Sequence, residues 1–473
     1  MLESHALDFR PWFQRMITTV ALAFAVALSA TAMAAVPNPI VTGPIASTVA
    51  PGDPTHNYTF FSSNHDLAGH GYVEEEFFIQ GTANRYNTPS LTTATIIDGG
   101  HPYMTRIVVR RPADAARFNG TVLVEWYNVT NNFDAENTWF FAWEHIMRAG
   151  YAWVGVSAQR VGVNALKTWS PGRYGLLDVT QGSTINNDAL SYDIFSQAGQ
   201  AIKQPVGVDV LHGLQSQHIF AIGESQSAMR LSIYANSIQP LANLYEGILL
   251  LSSLGNAIRT DTMVPVFKVL TEYDVTGANE ANVRQADTNM FRTWEVAGTS
   301  HVDQHLRASR EPLELRDLGV SSEALLAPQC AIHTIGTRVP TTYVLASAFD
   351  HLVAWAEDGT PPPVAPRIQI ATFGSPSLAA RDGLGLALGG IRLSEIDVPI
   401  AYNVGTNSGP GACVRWGYSV PFDDALLKSL YRNHGQYVSR VVQVNERNVE
   451  SGYILEDDAE IDNEEAAHSD VGK

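Results

Sequence analysis

Cysteine is scarce in this sequence: the 473 residues include two, Cys330 and Cys413. They do not form a C-x-x-C motif, so a redox-active pair or a cysteine-based metal site is not expected. In an oxidising compartment the two thiols could close one disulfide across a long loop, and otherwise they would be two free buried thiols. The sequence leaves both alternatives open.

Positive charge is also in short supply. The chain has 30 Lys and Arg against 48 Asp and Glu, a formal net charge of −18, and no basic stripe interrupts that balance. Because such a field repels a phosphate backbone, nucleic acid is not an expected partner. Part of the acidity lies in "LEDDAEIDNEEAAHSD" near the C-terminus, which predicts a solvated, disordered tail over residues 456–473.

Long apolar runs are missing after the N-terminal region. Arg10 and Arg15 precede "MITTVALAFAVALSATAMAA", which is short for a membrane span and ends in small residues. This pattern is typical of a secretory signal peptide over residues 1–35, with cleavage near Ala34 or Ala35. We therefore expect a secreted or periplasmic protein with no membrane segment after cleavage; an uncleaved membrane anchor is the alternative.

Apolar strand patterns alternate with helical patterns between about residues 60 and 305. The strand patterns include "GTVLVEWYN", "YAWVGVSAQ", "HIFAIG", "GILLLSS", "VPVFKVLTEYDV" and "FRTWEVAG". This rhythm predicts an α/β fold with a doubly wound, mostly parallel sheet. We expect a single domain over residues 36–455, in which residues 306–455 form lid, side-wall and C-terminal helices, including one helix over "FDDALLKSLYRNHGQYVSRVVQVNERN".

The stretch "HIFAIGESQSAMRLSIYAN", residues 218–236, reads as a buried strand, a tight corner and a helix. Ser225 lies at the corner, with Gly223 and Ser227 two positions away on either side. A strand-to-helix corner of this kind exposes a serine hydroxyl beside the N–H groups of a helix N-terminus. We therefore interpret Ser225 as a nucleophile, although the usual pattern has glycine where Ser227 stands.

A serine nucleophile needs a general base and an acid that orients it, and the chain order Ser, acid, His fits this sequence. Asp274 is the preferred acid because it falls in the turn after its strand, whereas Glu272, the reserve, is expected still to lie in the strand. His301, in a loop of small residues after "FRTWEVAG", is the predicted base. His305 lacks a third ligand or an H-E-x-x-H pattern, so no metal is predicted.

The oxyanion of an acyl-transfer intermediate requires two N–H donors. The backbone N–H of Gln226 is the first candidate, and the loop after "GTVLVEWYN" offers Tyr127 or Asn128 as the second. No organic cofactor is needed for this chemistry.

Taken together, these stretches make the chain resemble the α/β-hydrolase fold and, more narrowly, a family of secreted bacterial α/β-hydrolase-domain proteins with a G-x-S-Q-S elbow. "IGESQSA", "WEVAGTSHVD", "APQCAI" and "LVAWAEDGTPPP" are among the matching stretches. The resemblance implies a serine esterase with the triad Ser225, Asp274 and His301, acting on a small-molecule or polymeric ester. An amidase, peptidase or acyltransferase would use the same triad, and a non-catalytic binding protein on this fold is the remaining alternative. Oligomeric state is not readable from the sequence.

Overall fold

We describe the protein from a computed structural model, which covers residues 36–473. The proposed signal peptide over residues 1–35 lies outside this range. Within it, ten strands form the main sheet and four further strands form two small antiparallel sheets of two strands each. The strands are β1 Ile40–Thr42, β2 Tyr72–Asn87, β3 Thr95–Pro112, β4 Thr121–Trp126, β5 Ala152–Val156, β6 Val206–Gly207, β7 His218–Glu224, β8 Gly247–Leu251, β9 Val266–Thr271, β10 Phe291–Val296, β11 Ile370–Thr372, β12 Leu378–Ala379, β13 Ala401–Val404 and β14 Tyr418–Pro421.

Helices connect and flank these strands. They are α1 Asn137–Arg148, α2 Arg160–Trp169, α3 Pro171–Tyr174, α4 Ser191–Lys203, α5 Gln226–Ile233, α6 Gln239–Ala242, α7 Glu272–Thr276, α8 Gln304–Leu318, α9 Ser322–Leu326, α10 Thr341–Asp358, α11 Ser394–Asp397, α12 Cys413–Trp416, α13 Asp424–Leu430, α14 His434–Glu450 and α15 Glu456–His468. None of those in the described range is long and apolar enough for a bilayer span.

The main sheet has the order β10-β9-β8-β7-β4-β5-β3-β2-β1-β6. Its half from β5 through β10 is parallel, while β2 pairs antiparallel with both β1 and β3. The parallel strands are buried almost throughout, as expected where helices cover both faces. The predicted α/β class with a mostly parallel sheet is therefore confirmed.

The C-terminal region differs from two expectations. The predicted single helix over residues 422–448 is two helices, α13 and α14, because the chain leaves the helix at Tyr431 and Asn433 caps a new one by accepting a hydrogen bond from the Gln436 N–H. The predicted disordered tail is instead the helix α15, which packs on α14.

Side-chain contacts hold α15 in place despite its acidity. Asp458 pairs with Arg148 at 2.8 Å, and Asp462 accepts hydrogen bonds from Ser394 at 2.6 Å and Asn445 at 2.7 Å. A run of like charges indicates a solvated segment only where no other part of the chain pairs with those charges. For α15 such partners exist, so the expectation was wrong.

Cys330 and Cys413 are joined by a disulfide. The bond links the segment after α9 to the first residue of α12 and lies in a small buried cluster with Ile335 and Trp416. Of the two alternatives that the sequence left open, the structure contains the paired one.

We expect removal of this disulfide to lower the free energy of unfolding by about 2–4 kcal/mol, since it closes a long loop in the unfolded chain; the two cysteines are 83 residues apart. The measurement is urea denaturation of the oxidised protein and of a Cys330→Ser/Cys413→Ser variant. A reductant should shift the midpoint of the first protein and leave the second unchanged. Equal midpoints for the two proteins would contradict the expectation.

Candidate active site

Ser225 stands at the corner between β7 and α5 in a backbone conformation that serine rarely adopts, with φ 54° and ψ −116°. A non-glycine residue in such a region costs on the order of 1–3 kcal/mol. The corner is fixed from both sides, because the Ser225 N–H donates to the Leu251 carbonyl of the neighbouring strand at 2.9 Å and its own carbonyl accepts from Met229 at 2.9 Å. The hydroxyl is thereby projected beyond the end of the sheet.

Small residues around the corner have a steric reason. A Cβ on Gly223 would lie 3.0 Å from the Ser227 hydroxyl and 3.0 Å from Leu231. The Ser227 hydroxyl in turn accepts from the Glu224 N–H at 3.1 Å and donates to the Glu224 carbonyl at 2.9 Å. The serine that stands in place of the usual glycine therefore stabilises the corner with two hydrogen bonds and does not crowd it.

His301 lies between Ser225 and Asp274. Its Nε2 is 2.8 Å from the Ser225 hydroxyl, and its Nδ1 is 2.7 Å from Asp274 Oδ1. The other carboxylate oxygen of Asp274 accepts from the Thr271 N–H at 2.8 Å and the Thr271 hydroxyl at 2.7 Å. The structure thus brings together the three side chains that the sequence singled out, from the ends of β7, β9 and β10.

The electrostatics of this trio favour an ion pair. Burial acts to raise the pKa of the Asp274 carboxyl, but His301 and the Thr271 hydrogen bonds outweigh it and leave that pKa below its usual value. Burial acts to lower the pKa of His301, but Asp274 and then Glu224 outweigh it and leave that pKa above its usual value. Asp274 is therefore placed to stabilise a protonated imidazole.

Glu272 is engaged elsewhere. It lies in α7, not in the strand as expected, and its carboxylate pairs with Arg381 at 2.6 Å and accepts from the Gly298 N–H at 2.8 Å. Of the two candidate acids, Asp274 is the one in contact with His301.

The candidate oxyanion donors have different surroundings. The Gln226 N–H belongs to the first residue of α5, where helical N–H groups have no acceptor within the helix. The Tyr127 N–H donates to the Val156 carbonyl at 3.3 Å and the Asn128 N–H to the Ala135 carbonyl at 3.0 Å. Neither is therefore free for a substrate oxygen, which corrects the expectation for the second donor. The next N–H in this loop, that of Val129, donates to the Gln226 side-chain oxygen at 3.4 Å, a long hydrogen bond.

Glu224 is a site residue that the sequence reading missed. Its carboxylate lies 3.3 Å from His301 Nε2 and accepts from the Asn137 amide at 2.7 Å and the Asn128 amide at 3.0 Å. Burial raises its pKa, against the opposing effects of His301 and Asn137. The only signal in the sequence was that Glu224 directly precedes Ser225. The alternation of side chains along β7 does not show that the Glu224 side chain reaches His301.

A cavity of about 270 Å³ opens above Ser225 and His301. α8, α9 and α12 contribute Arg310, Leu325, Arg415 and Trp416 to its walls, and the loop before α1 contributes Asn131. A larger cavity, of about 620 Å³, contains His305 and does not reach Ser225. His305 Nε2 lies 3.3 Å from Glu144, and no group of three or more metal-ligating side chains occurs within residues 36–473.

Comparisons with solved structures return α/β hydrolases at low identity. A serine hydrolase without lid from Xanthomonas campestris is 12% identical over 49% of this chain and 93% of its own, with a TM-score of 0.28. A dienelactone hydrolase from Anabaena variabilis is 12% identical over 50% and 95%, with a TM-score of 0.28. A serine hydrolase homologue from Coxiella burnetii is 14% identical over 46% and 92%, with a TM-score of 0.29.

Among curated proteins, none matches this chain. The model of the alpha/beta hydrolase domain family matches residues 41–461. This range includes Ser225, His301 and all of the main sheet except the first residue of β1. The chain belongs to the alpha/beta hydrolase domain family.

Proposed function

We propose that this protein is a secreted serine hydrolase that cleaves carboxylic esters through an acyl-enzyme intermediate. The observation that supports it most directly is the position of His301, within hydrogen-bond distance of both the Ser225 hydroxyl and the Asp274 carboxylate. This is the arrangement in which an imidazole can take a proton from a serine and remain oriented by an acid.

In the proposed reaction, Ser225 Oγ attacks the ester carbonyl while His301 Nε2 takes its proton. Asp274 holds Nδ1–H and stabilises the imidazolium. The tetrahedral oxyanion accepts a hydrogen bond from the Gln226 N–H. We assign the second donor to Val129, whose N–H would exchange its long bond of 3.4 Å to the Gln226 side-chain oxygen for the substrate oxygen. The imidazolium then protonates the alcohol as it leaves, and water, deprotonated by His301, hydrolyses the acyl-enzyme.

Ser225→Ala should lower kcat for short p-nitrophenyl esters by at least about 10⁴-fold, since it removes the nucleophile. It should also abolish labelling by a fluorophosphonate, while circular dichroism stays unchanged. The matched control is Ser429→Ala, at an exposed serine outside the cavity, which should retain full turnover. Undiminished labelling of Ser225→Ala would contradict the assignment, and parallel assays with amides and acyl acceptors separate ester hydrolysis from amide hydrolysis and acyl transfer.

The acid can be tested by a pair of substitutions that each replace a carboxylate by an amide. Asp274→Asn should lower kcat by about 10⁴-fold because it disfavours the tautomer with a proton on Nδ1. Glu272→Gln should lower it by less than about tenfold, since Glu272 pairs with Arg381 and does not contact His301. The reverse order would make Glu272 the acid.

The pH dependence of kcat/KM should change when the charge of Glu224 is removed. His301 must be neutral to act as a base, so kcat/KM should fall as the pH drops through a pKa above the ordinary histidine value of about 6.5. Glu224→Gln removes a negative charge beside Nε2, lowers the pKa of His301 and should move this acid limb to lower pH. Glu450→Gln, at an exposed glutamate, should leave the profile in place. An unmoved limb in Glu224→Gln would contradict this role.

Export is the part of the proposal that concerns residues 1–35. The signal-peptide pattern and the disulfide, which persists in oxidising compartments, both support it. Intact mass measurement of the protein recovered outside the cytoplasm should give a chain that starts directly after Ala34 or Ala35. Recovery of a chain that still begins at Met1 would contradict cleavage.

A further inference from the structure

The cavity above Ser225 has an uneven charge distribution. Besides His301, three of its lining residues have ionisable side chains: Glu224, Arg310 and Arg415. Whether the cavity attracts a charged substrate depends on which of these three charges is already compensated by the protein.

Glu224 and Arg310 both have partners. The Glu224 carboxylate is bound by the Asn128 and Asn137 amides and lies beside His301. Arg310 is almost fully buried in α8, and its Nε lies 3.0 Å from Glu314 one turn away, while its guanidinium is 5.8 Å from the centre of the Trp416 ring. The charge of Arg310 is therefore compensated by Glu314, whereas Glu224 is hydrogen-bonded by amides and keeps its negative charge beside His301.

Arg415 has no such partner. Within residues 36–473 no carboxylate forms an ion pair with it, and its polar neighbour is the Tyr273 hydroxyl. It is half-buried at the cavity wall, close enough to His301 that its positive charge acts to lower the pKa of that histidine, against the larger effects of the two carboxylates. Acidic residues outnumber basic ones in this chain, whose net charge is −18. An arginine that lines a cavity without an ion pair in the described range is therefore unexpected.

The backbone of Arg415 is firmly held. Cys413, two residues earlier, is bonded to Cys330, and the Arg415 carbonyl accepts from the N–H of Val302, the residue after His301, at 3.1 Å. The Trp416 carbonyl accepts from the Gly336 N–H at 2.7 Å. The backbone of Arg415 is thereby kept at a fixed place relative to His301, and its side chain lines the cavity from there.

We propose that the cavity selects small esters that contain a free carboxylate, and that Arg415 binds this carboxylate while Ser225 attacks the ester carbonyl. The inference rests on the esterase function proposed above. A guanidinium can donate two parallel hydrogen bonds to a carboxylate, a geometry that a neutral acyl chain cannot use. The volume of about 270 Å³ and the apolar Leu325, Leu326 and Trp416 suit a short aliphatic spacer between the two ends.

The reaction remains an ordinary hydrolysis. Water adds across the ester bond, the alcohol leaves with the proton from His301, and the acyl group is released as a second carboxylate. The carboxylate on Arg415 is unchanged throughout. Arg415 is therefore a binding residue that sets specificity, and its loss should appear in KM and kcat/KM more than in kcat.

The test compares two p-nitrophenyl esters with acyl chains of equal length, the adipate half-ester, which ends in a carboxylate, and the neutral hexanoate ester. The wild-type protein should have the higher kcat/KM for the half-ester. Arg415→Gln should lower kcat/KM for the half-ester by about 10- to 100-fold, the usual range for a lost hydrogen bond to a charged group. At a pH well above the pKa of His301, where loss of the Arg415 charge does not alter the protonation of the base, it should change the value for hexanoate by less than about threefold.

Two further variants sharpen the comparison. Arg415→Lys keeps the charge without the bidentate geometry and should retain part of the preference. Arg432→Gln removes the same charge at an exposed position outside the cavity and should leave both esters unaffected. If Arg415→Gln does not fold, inhibition of hexanoate ester hydrolysis in the wild-type protein decides: adipate should compete better than the neutral diamide of the same chain length.

The possible results distinguish a failure of the carboxylate preference from a failure of the esterase proposal. A wild-type preference for the hexanoate ester, an equal loss for both esters in Arg415→Gln, or equal inhibition by adipate and its diamide would overturn the carboxylate preference and leave the esterase proposal standing. Hydrolysis of neither ester together with no fluorophosphonate labelling would overturn the esterase proposal, and this inference with it.

Discussion

The geometry of the candidate active site depends on one strained residue. Ser225 has a positive φ because the chain must turn from β7 into α5 within a single step, and the surrounding hydrogen bonds hold it there. A side chain at Gly223 would press on Leu231 and on the Ser227 hydroxyl, and that hydroxyl bonds both backbone groups of Glu224. The central strands supply the rigidity that offsets this local cost. The side chains of His301 and Asp274 and the walls of the cavity are arranged around the position that this turn gives to the Ser225 hydroxyl.

Much of the arrangement could be predicted because it follows from sheet topology. Buried parallel strands have recognisable apolar runs, and their carboxyl ends lie at one edge. Ser225, Asp274 and His301 each follow such a run, so their proximity required only that the strands β7, β9 and β10 lie close in the sheet. The choice of Asp274 over Glu272 also followed from position, although both residues lie in α7 and only hydrogen-bond partners separate their roles.

The features that escaped prediction depend on contacts between distant segments. The N–H groups of Tyr127 and Asn128 are taken up by Val156 and Ala135, a pairing that the loop's sequence does not reveal. The part that Glu224 plays depends on where its side chain points, and that of Arg415 on the absence of a carboxylate beside it among residues 36–473. The tail at 456–473 looked solvated because local charge pattern is blind to Arg148, Ser394 and Asn445, which hold α15.

The position of α15 has a consequence for the order in which the molecule assembles. Arg148, at the end of α1, bonds Asp458 across a separation of 310 residues. α1 follows directly on the loop that faces the elbow, so this flank of the molecule is complete only once the ribosome has passed Asp458. Contacts of such long sequence separation are slow to form, and a nascent chain that ends before Asp458 leaves Arg148 without this carboxylate.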